Sequence, residues 1–271
     1  MASLFLIGDP VAHSLSPAMQ NAAFAALGLP HRYELLRVTA ADLAGAIQRV
    51  RRDDVLGANV TIPHKEQVGR DLDAIEDTAR RIGAVNTIFK RPGALRGDNT
   101  DAGGFADALR ELDVDVAGMR VLLLGAGGAA RACADHLIRA GAHVAIANRT
   151  RERAEALAAA LPAMVGADGS FGVLARPPRS LDGYDAVVNA TSLGLHGEDA
   201  LEGVELSREL TVIDVVATAE VTPLVRRARA AGCVAVDGLI MLLHQGARAF
   251  RLWTGLDAPL GAMRAALPRE V

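Results

Sequence analysis

A two-domain α/β architecture is what the patterning of this chain predicts, and three observations carry it. Short apolar strands alternate with amphipathic helices along nearly all of the 271 residues, the order that builds a mainly parallel sheet. The length exceeds what one hydrophobic core ordinarily organises. Residues 121–150 read as strand, glycine turn, helix and second strand, a folding unit in its own right.

Residues 4–7 form a first strand. A helix follows over 17–27 with Ser16 as its cap, then a strand over 33–38 and an amphipathic helix over 41–52. A short strand is expected at 57–60 and a helix at 71–81. Segments 84–90 and 94–97, split by Arg91-Pro92-Gly93, form a hairpin. A helix over 102–112 begins at Asp101. Beyond Thr150 come a helix over 152–161 ended by Pro162 and buried strands at 186–189 and 212–215. Pro223 sits near the first turn of a helix over 222–231. A strand at 233–236 and a long helix over 239–253, closed by Gly255, complete the pattern. The Gly-, Pro- and Arg-rich stretch 166–182 reads as a mobile loop.

Composition excludes several function classes. A net charge of −3 and a pI near 6.2 give no electrostatic footprint for nucleic acid or an anionic membrane. Aromatic residues make up only 3%, too few for base-stacking platforms. Cys133 and Cys233 form neither a disulfide framework nor a metal-ligand spacing, so the cytosol is expected and no metal is. The start, MASLFLIGDP, has no basic n-region and reads as a strand rather than a signal peptide. No apolar run approaches the roughly 18 residues of a membrane span.

The unit at 121–150 carries the first chemical reading. An apolar strand enters a turn of Gly125, Ala126, Gly127, Gly128 and Ala129, and Gly125, Gly127 and Ala130 fall at the dinucleotide-fingerprint positions. Glycine suits a turn where the backbone must come close to a pyrophosphate at a helix N-terminus. At the end of the second strand, a carboxylate would hold a free ribose 2′-hydroxyl. Here Asn148, Arg149 and Thr150 stand instead, with Arg153 close behind. Guanidinium forks suit a 2′-phosphate, so the expected cofactor is NADP.

Three polar clusters in the front half read as a site. In His13-Ser14-Leu15-Ser16-Pro17, two hydroxyls precede a helix that favours an anion. In Asn59-Val60-Thr61-Ile62-Pro63-His64-Lys65, a lysine follows a buried strand past a proline. The third cluster is Gly97-Asp98-Asn99-Thr100-Asp101, preceded by Gly83-Ala84-Val85-Asn86-Thr87. Taken singly, Ser16 and Asp101 read as helix caps and Lys65 as a surface lysine.

In this order the motifs HSLSP, NVTIPHK, GAVNT, GDNTD with Phe105, GAGGAARA, NRT, NAT with Gly194, TPL, and 238–245 with Met241 resemble the shikimate dehydrogenase family over nearly the whole chain. The resemblance implies an NADP-dependent oxidoreductase that reversibly reduces 3-dehydroshikimate to shikimate, a step of chorismate and aromatic amino acid biosynthesis. It implies that Ser14 and Ser16 hold the substrate carboxylate, and that Thr61, Asn86, Asp101 and Gln245 bind ring hydroxyls. Lys65 and Asp101 would be the catalytic pair. On the cofactor side it covers Gly125 to Ala129, Asn148 to Arg153 and Thr191, with Val215, Gly238 and Met241 near the nicotinamide. Asp77 is a weaker carry-over. His13, His64 and His244 neighbour these motifs without a role in them.

The resemblance further implies a substrate domain of residues 1–101 plus 239–271, a Rossmann-type domain of 102–238, and a cleft between them, in a monomer or homodimer. It breaks at Ala217, where the family usually carries a tyrosine three residues after the strand-ending aspartate, here Asp214. Two alternatives follow: a paralogue acting on quinate or aminoshikimate, or a non-catalytic NADP-binding regulator. Lys65 and Asp101, both present, speak against the regulator.

Overall fold

A computed structural model describes residues 1–165, 171–174 and 178–268. The chain divides into two compact units, one of Met1–Gly104 with Leu242–Val271, the other Phe105–Met241. Both switches fall three residues later than the sequence reading places them. They lie inside helices, so no linker composition marks them.

The first unit is built on a six-stranded mixed sheet. Strand β1 (Ser3–Gly8) is buried along nearly its whole length and pairs in parallel with β2 (Arg32–Arg37) and β3 (Val55–Val60). The unbroken apolar run LFLI is what a central strand covered on both faces requires. Helices α1 (Ser16–Ala26) and α2 (Leu43–Val50) make the two crossovers. Beyond β3 the sheet turns antiparallel, through the hairpin of β5 (Thr87–Arg91) and β6 (Ala94–Asp98). Its core gathers Phe5, Ile7, Ile47, Val50, Val60 and Ile88.

The expected helix at 71–81 is largely replaced. A 3-10 turn spans Val68–Asp71, a two-residue strand β4 (Ala74–Ile75) pairs with β6, and α3 is confined to Asp77–Ile82. Sheet hydrogen bonding outcompetes helix propensity here. Asp73 N donates to Leu95 O at 2.9 Å and Glu76 N to Gly97 O at 2.8 Å, so these donors are used by the sheet edge. The expected helix at 41–52 likewise divides into a 3-10 turn, Ala40–Asp42, and α2.

Helix α4 (Asp101–Glu111) leads into the second unit, an all-parallel six-stranded sheet. Its strands are β7 (Arg120–Leu124), β8 (His143–Ala147), β9 (Phe171–Leu174), β10 (Ala186–Asn189), β11 (Thr211–Asp214) and β12 (Val234–Val236). The order β9-β8-β7-β10-β11-β12 is the doubly wound 3-2-1-4-5-6 arrangement, whose direction of winding switches between β7 and β10. Helices α5 (Gly128–Arg139), α6 (Arg151–Val165) and α7 (Pro223–Ala230) are its crossovers. Thr222 caps α7, its hydroxyl accepting from Val225 N.

Two expectations fail in this unit. Helix α6 runs past Pro162 to Val165: a proline removes one backbone bond but does not always end a helix. The stretch read as a loop from 166 to 182 contains β9, which completes the sheet beside β8. Residues 166–170 and 175–177 of that stretch lie outside the described residues.

Helix α8 (Gly238–Thr254) passes between the units in sequence, and α9 (Leu260–Ala265), unanticipated, packs on α1. Trp253, near the end of α8, donates its indole N–H to Ile88 O at 2.9 Å. Among the described residues no helix is long and apolar enough to cross a membrane.

The Trp253 contact depends on Gly57 in β3. A Cβ there would lie 2.2 Å from Ile88 O and 2.6 Å from Trp253 Nε1. Gly57→Ala is expected to cost about 1–3 kcal/mol, seen as a lower urea midpoint. Gly45→Ala, in open space within α2, is expected to add about 0.5–1 kcal/mol of stability and so raise the midpoint.

Candidate active site

Asn99 decides the site in the first unit. Its side-chain oxygen accepts from Asp101 N at 3.0 Å and Ala102 N at 3.3 Å, while its amide donates to Ala84 O at 2.9 Å. Asn99 therefore supplies the cap that the sequence allowed for Asp101. The Asp101 carboxylate, released from that task, accepts from Lys65 Nζ at 2.6 Å. The two side chains are only 6% and 14% exposed. A surface lysine is ruled out.

The turn after β3 holds Lys65 in place. Thr61 N donates to Ile7 O at 2.8 Å, His64 N to Thr61 O at 3.0 Å, and Val85 N to Lys65 O at 2.7 Å. His64 is fully buried, with its ring Nε2 2.7 Å from Val38 O. Its place is structural. His13 is exposed and His244 half-buried.

Asn86 joins the pieces. Its amide donates to Asp101 Oδ1 at 2.8 Å, Thr100 Oγ1 at 3.0 Å and Gln245 Oε1 at 3.4 Å. Its oxygen accepts from Thr100 N at 2.7 Å. Gln245 reaches the cluster because α8 approaches α4 closely: a Cβ on Gly104 would stand 2.5 Å from Gln245 N. Thus Lys65, Asp101, Asn86 and Gln245 are brought together, with Thr61 on the same turn as Lys65. Ser16 is buried in the first turn of α1 rather than acting as its cap, since Leu15 holds that position without a side-chain bond. Ser14 Oγ accepts from Ser16 N at 3.3 Å. Asp77 is highly exposed and paired with Arg80; it stands apart from this network. Sequence reasoning missed Asn99, Asn59 and Thr87 as network members, although all three lie within the quoted motifs.

In the second unit, Gly125 takes φ +111° and its Cβ position lies 2.6 Å from Ala190 O; only glycine fits. At Gly127 a Cβ would meet nothing within 4 Å, so the backbone there is open to a ligand. Helix α5 has no acidic residue in its first turn and no side-chain cap, which leaves its N-terminal amides available to an anion. Ala126 is buried, Gly128 and Ala129 half-buried. At the end of β8, Asn148 Nδ2 bonds Thr150 O at 2.8 Å, and Arg149, Thr150 and Arg153 are exposed. Thr191 is half-buried and bonds Asn189 Oδ1 at 2.7 Å. Val215 is half-buried; Gly238 and Met241 are buried at the start of α8. Among the described residues no group of three His, Cys, Asp or Glu could hold a metal ion.

Comparison with known proteins gives the family. Residues 6–88 match the profile of the shikimate dehydrogenase substrate binding domain, 107–241 that of shikimate / quinate 5-dehydrogenase, and 238–267 that of the shikimate 5′-dehydrogenase C-terminal domain. The NADP(+) shikimate dehydrogenase of Methanothermobacter thermautotrophicus is 44% identical over 97% of this chain and 95% of its own. The chain belongs to the shikimate dehydrogenase family. Among solved structures, shikimate 5-dehydrogenase from Thermus thermophilus in complex with NADP(H) and shikimate is 38% identical, covers 100% of both chains and has a TM-score of 0.87. Quinate dehydrogenase from Corynebacterium glutamicum in complex with NAD is 33% identical over 98% of each chain, also at 0.87.

A second carboxylate is unusual. Asp214, ending β11, accepts from Asn189 Nδ2 at 2.9 Å, Thr222 Oγ1 at 2.7 Å and Val216 N at 3.1 Å. Burial pushes it up to about 6, helped by the Asp237 charge and opposed by these three donors. The folded protein thus keeps a proton that the unfolded chain releases near pH 4. Between about pH 4 and 6 this group's stabilisation is lost as pH rises, up to about 3 kcal/mol. Asp214→Asn is expected to flatten that part of the stability–pH curve in urea melts, and an unchanged slope refutes the assignment.

Proposed function

We propose that this protein is an NADP-dependent shikimate dehydrogenase, reversibly reducing 3-dehydroshikimate to shikimate in chorismate and aromatic amino acid biosynthesis. The observation that carries the reading is the buried Lys65–Asp101 pair at 2.6 Å, set among Asn86, Gln245 and Thr61 in a chain of this family. Ser14 and Ser16, at the start of α1, would take the ring carboxylate, and Thr61, Asn86, Asp101 and Gln245 the hydroxyls.

The residues present fit NADP. The open backbone at Gly127 and the free N-terminus of α5 suit the pyrophosphate. Arg149, Thr150 and Arg153 would hold the 2′-phosphate, and Thr191, Val215, Gly238 and Met241 would line the nicotinamide end. When bound, the cofactor supplies or accepts a hydride. The protein's task is the proton and the charge. Negative charge grows on the carbonyl oxygen as the ketone is reduced, and a Lys65 ammonium aimed at that oxygen stabilises it and donates the proton. In the oxidising direction the Lys65 amine takes the hydroxyl proton. Asp101 balances the ammonium charge, opposing its loss, and orients the amine.

The runner-up substrate is quinate. It is favoured by Ala217, half-buried just beyond β11, where the resemblance expects a tyrosine, and by the likeness to a quinate dehydrogenase. A cytosolic location fits two cysteines that form no disulfide.

A panel of shikimate, quinate and aminoshikimate, each with NADP+ and NAD+, tests the reading. Steady reduction of NADP+ with shikimate as the preferred acid is expected; cofactor binding without turnover on any ring acid defeats it. Lys65→Ala is expected to lower kcat about 10²–10⁴-fold while shikimate still binds by calorimetry. Arg149→Ala is expected to raise KM for NADP+ about tenfold or more and leave KM for NAD+ little changed.

A further inference from the structure

We propose that Tyr33 is a positioning residue for the Lys65–Asp101 pair, acting through a buried chain of hydrogen bonds that begins at its hydroxyl. The proposal rests on reading that pair as the acid–base couple. Tyr33 lies in β2, an element that carries none of the motifs, and its phenol donates to Asn59 Oδ1 at 2.8 Å. Asn59 spends its amide protons on Asn86 O at 3.1 Å and Thr87 Oγ1 at 3.0 Å. The first of these is a backbone carbonyl, which only accepts. The amide therefore cannot be turned around, and the phenol must be the donor.

The direction then propagates. With one lone pair engaged by Asn59, Thr87 Oγ1 gives its single proton to Asn86 Oδ1 at 2.9 Å, although Thr100 Oγ1 stands only 3.1 Å away. Asn86 donates in turn to Asp101 Oδ1 at 2.8 Å, and the other carboxylate oxygen holds Lys65 Nζ at 2.6 Å. Each donor points toward the carboxylate, and hydrogen bonds in such a series polarise one another. From Tyr33 to Asp101 every member is 5% exposed or less, which leaves little room for water to replace a lost partner. At the other end, burial pushes the Tyr33 phenol up, and hydrogen bonding with the Ser16 side chain opposes the shift. The phenol remains a donor, and it touches a serine assigned to the substrate carboxylate.

Without the phenol proton, Asn59 Oδ1 is a buried acceptor with no donor. Asn59 then shifts, Thr87 loses the donor that orients its hydroxyl and can turn its one proton from Asn86 Oδ1 to Thr100 Oγ1, and the Asn86 amide loses part of its hold on Asp101.

Tyr33→Phe keeps the ring and removes the hydroxyl. With shikimate and NADP+, kcat is expected to fall about three- to tenfold while KM for NADP+ stays within about twofold. Thr87→Val cuts the same chain, so the double variant is expected to be no slower than the slower single one. Losses that multiply, as independent packing defects do, overturn the proposal. A second readout needs no substrate: in the ligand-free protein the Asn86 side-chain amide resonance is expected to move in Tyr33→Phe. The chain has only two tyrosines. Labelling Tyr33 with 3-fluorotyrosine in a Tyr184→Phe background therefore keeps the fold and strengthens the donor, and should move that resonance the opposite way. An amide unmoved by fluorination overturns the proposal whether or not Tyr33→Phe folds. Failure of the wild-type protein to turn over any ring acid defeats only the functional reading.

Discussion

Placing a lysine and an aspartate in contact out of water is the constraint to which the rest of the first unit answers. Removing two charges from solvent costs several kcal/mol per ion, and their attraction repays this only when the remaining lone pairs are satisfied. Here Asp101 has Lys65 on one oxygen and Asn86 on the other. Asn86 is itself held by the backbone N–H of Thr100. The antiparallel turn of the sheet makes this possible, because pairing β3 with β5 and β5 with β6 sets Asn59, Thr87 and Asp98 in register. The residues that follow β6 then fold back onto the start of β5. A wholly parallel sheet would have needed a helix at each crossover and could not have brought these segments together so economically.

Much of this was legible in the sequence, for identifiable reasons. Strands β7, β8 and β10 are continuous apolar runs bounded by glycine or asparagine, and their limits were read within a residue. Gly125 and Gly127 were legible because a turn that admits a phosphate tolerates little else. What escaped was set by partners distant in sequence. β4 exists because β6 offers it hydrogen bonds, and nothing in Ala74-Ile75 itself marks a strand. β9 is an edge strand in a stretch whose composition signals a loop. The motifs brought Lys65 and Asp101 forward together, yet the cap of α4 was read at Asp101 and not at Asn99. Both are good caps, and only the coordinates show Asn99 taking both amides.

The second unit solves a different problem with the same parts. Asn189 ends β10 as a buried amide, accepting from Thr191 N at 3.2 Å and Thr191 Oγ1 at 2.7 Å and donating to Asp214 at 2.9 Å. Asn86 is held in the same way, by Thr100 and against Asp101. Each asparagine is locked by a threonine that offers both backbone and side-chain donors, and each aims its amide at a carboxylate on a different element. The device ties the ends of neighbouring strands together without relying on apolar packing, where chain reversals leave many polar groups to satisfy.

The difference lies in what completes the carboxylate. Asp101 is completed by a cation, so its charge is matched inside the protein. Asp214 is completed by neutral donors, Thr222 Oγ1 and Val216 N, with the Asp237 carboxylate near enough to raise it further. One geometry therefore yields two electrostatic outcomes: a buried, matched charge pair, and a carboxyl group that takes up a proton near pH 6. Swapping the partner, not the scaffold, converts one outcome into the other. That is why Lys65, rather than the asparagine–threonine frame around it, separates the site from its counterpart in the second unit.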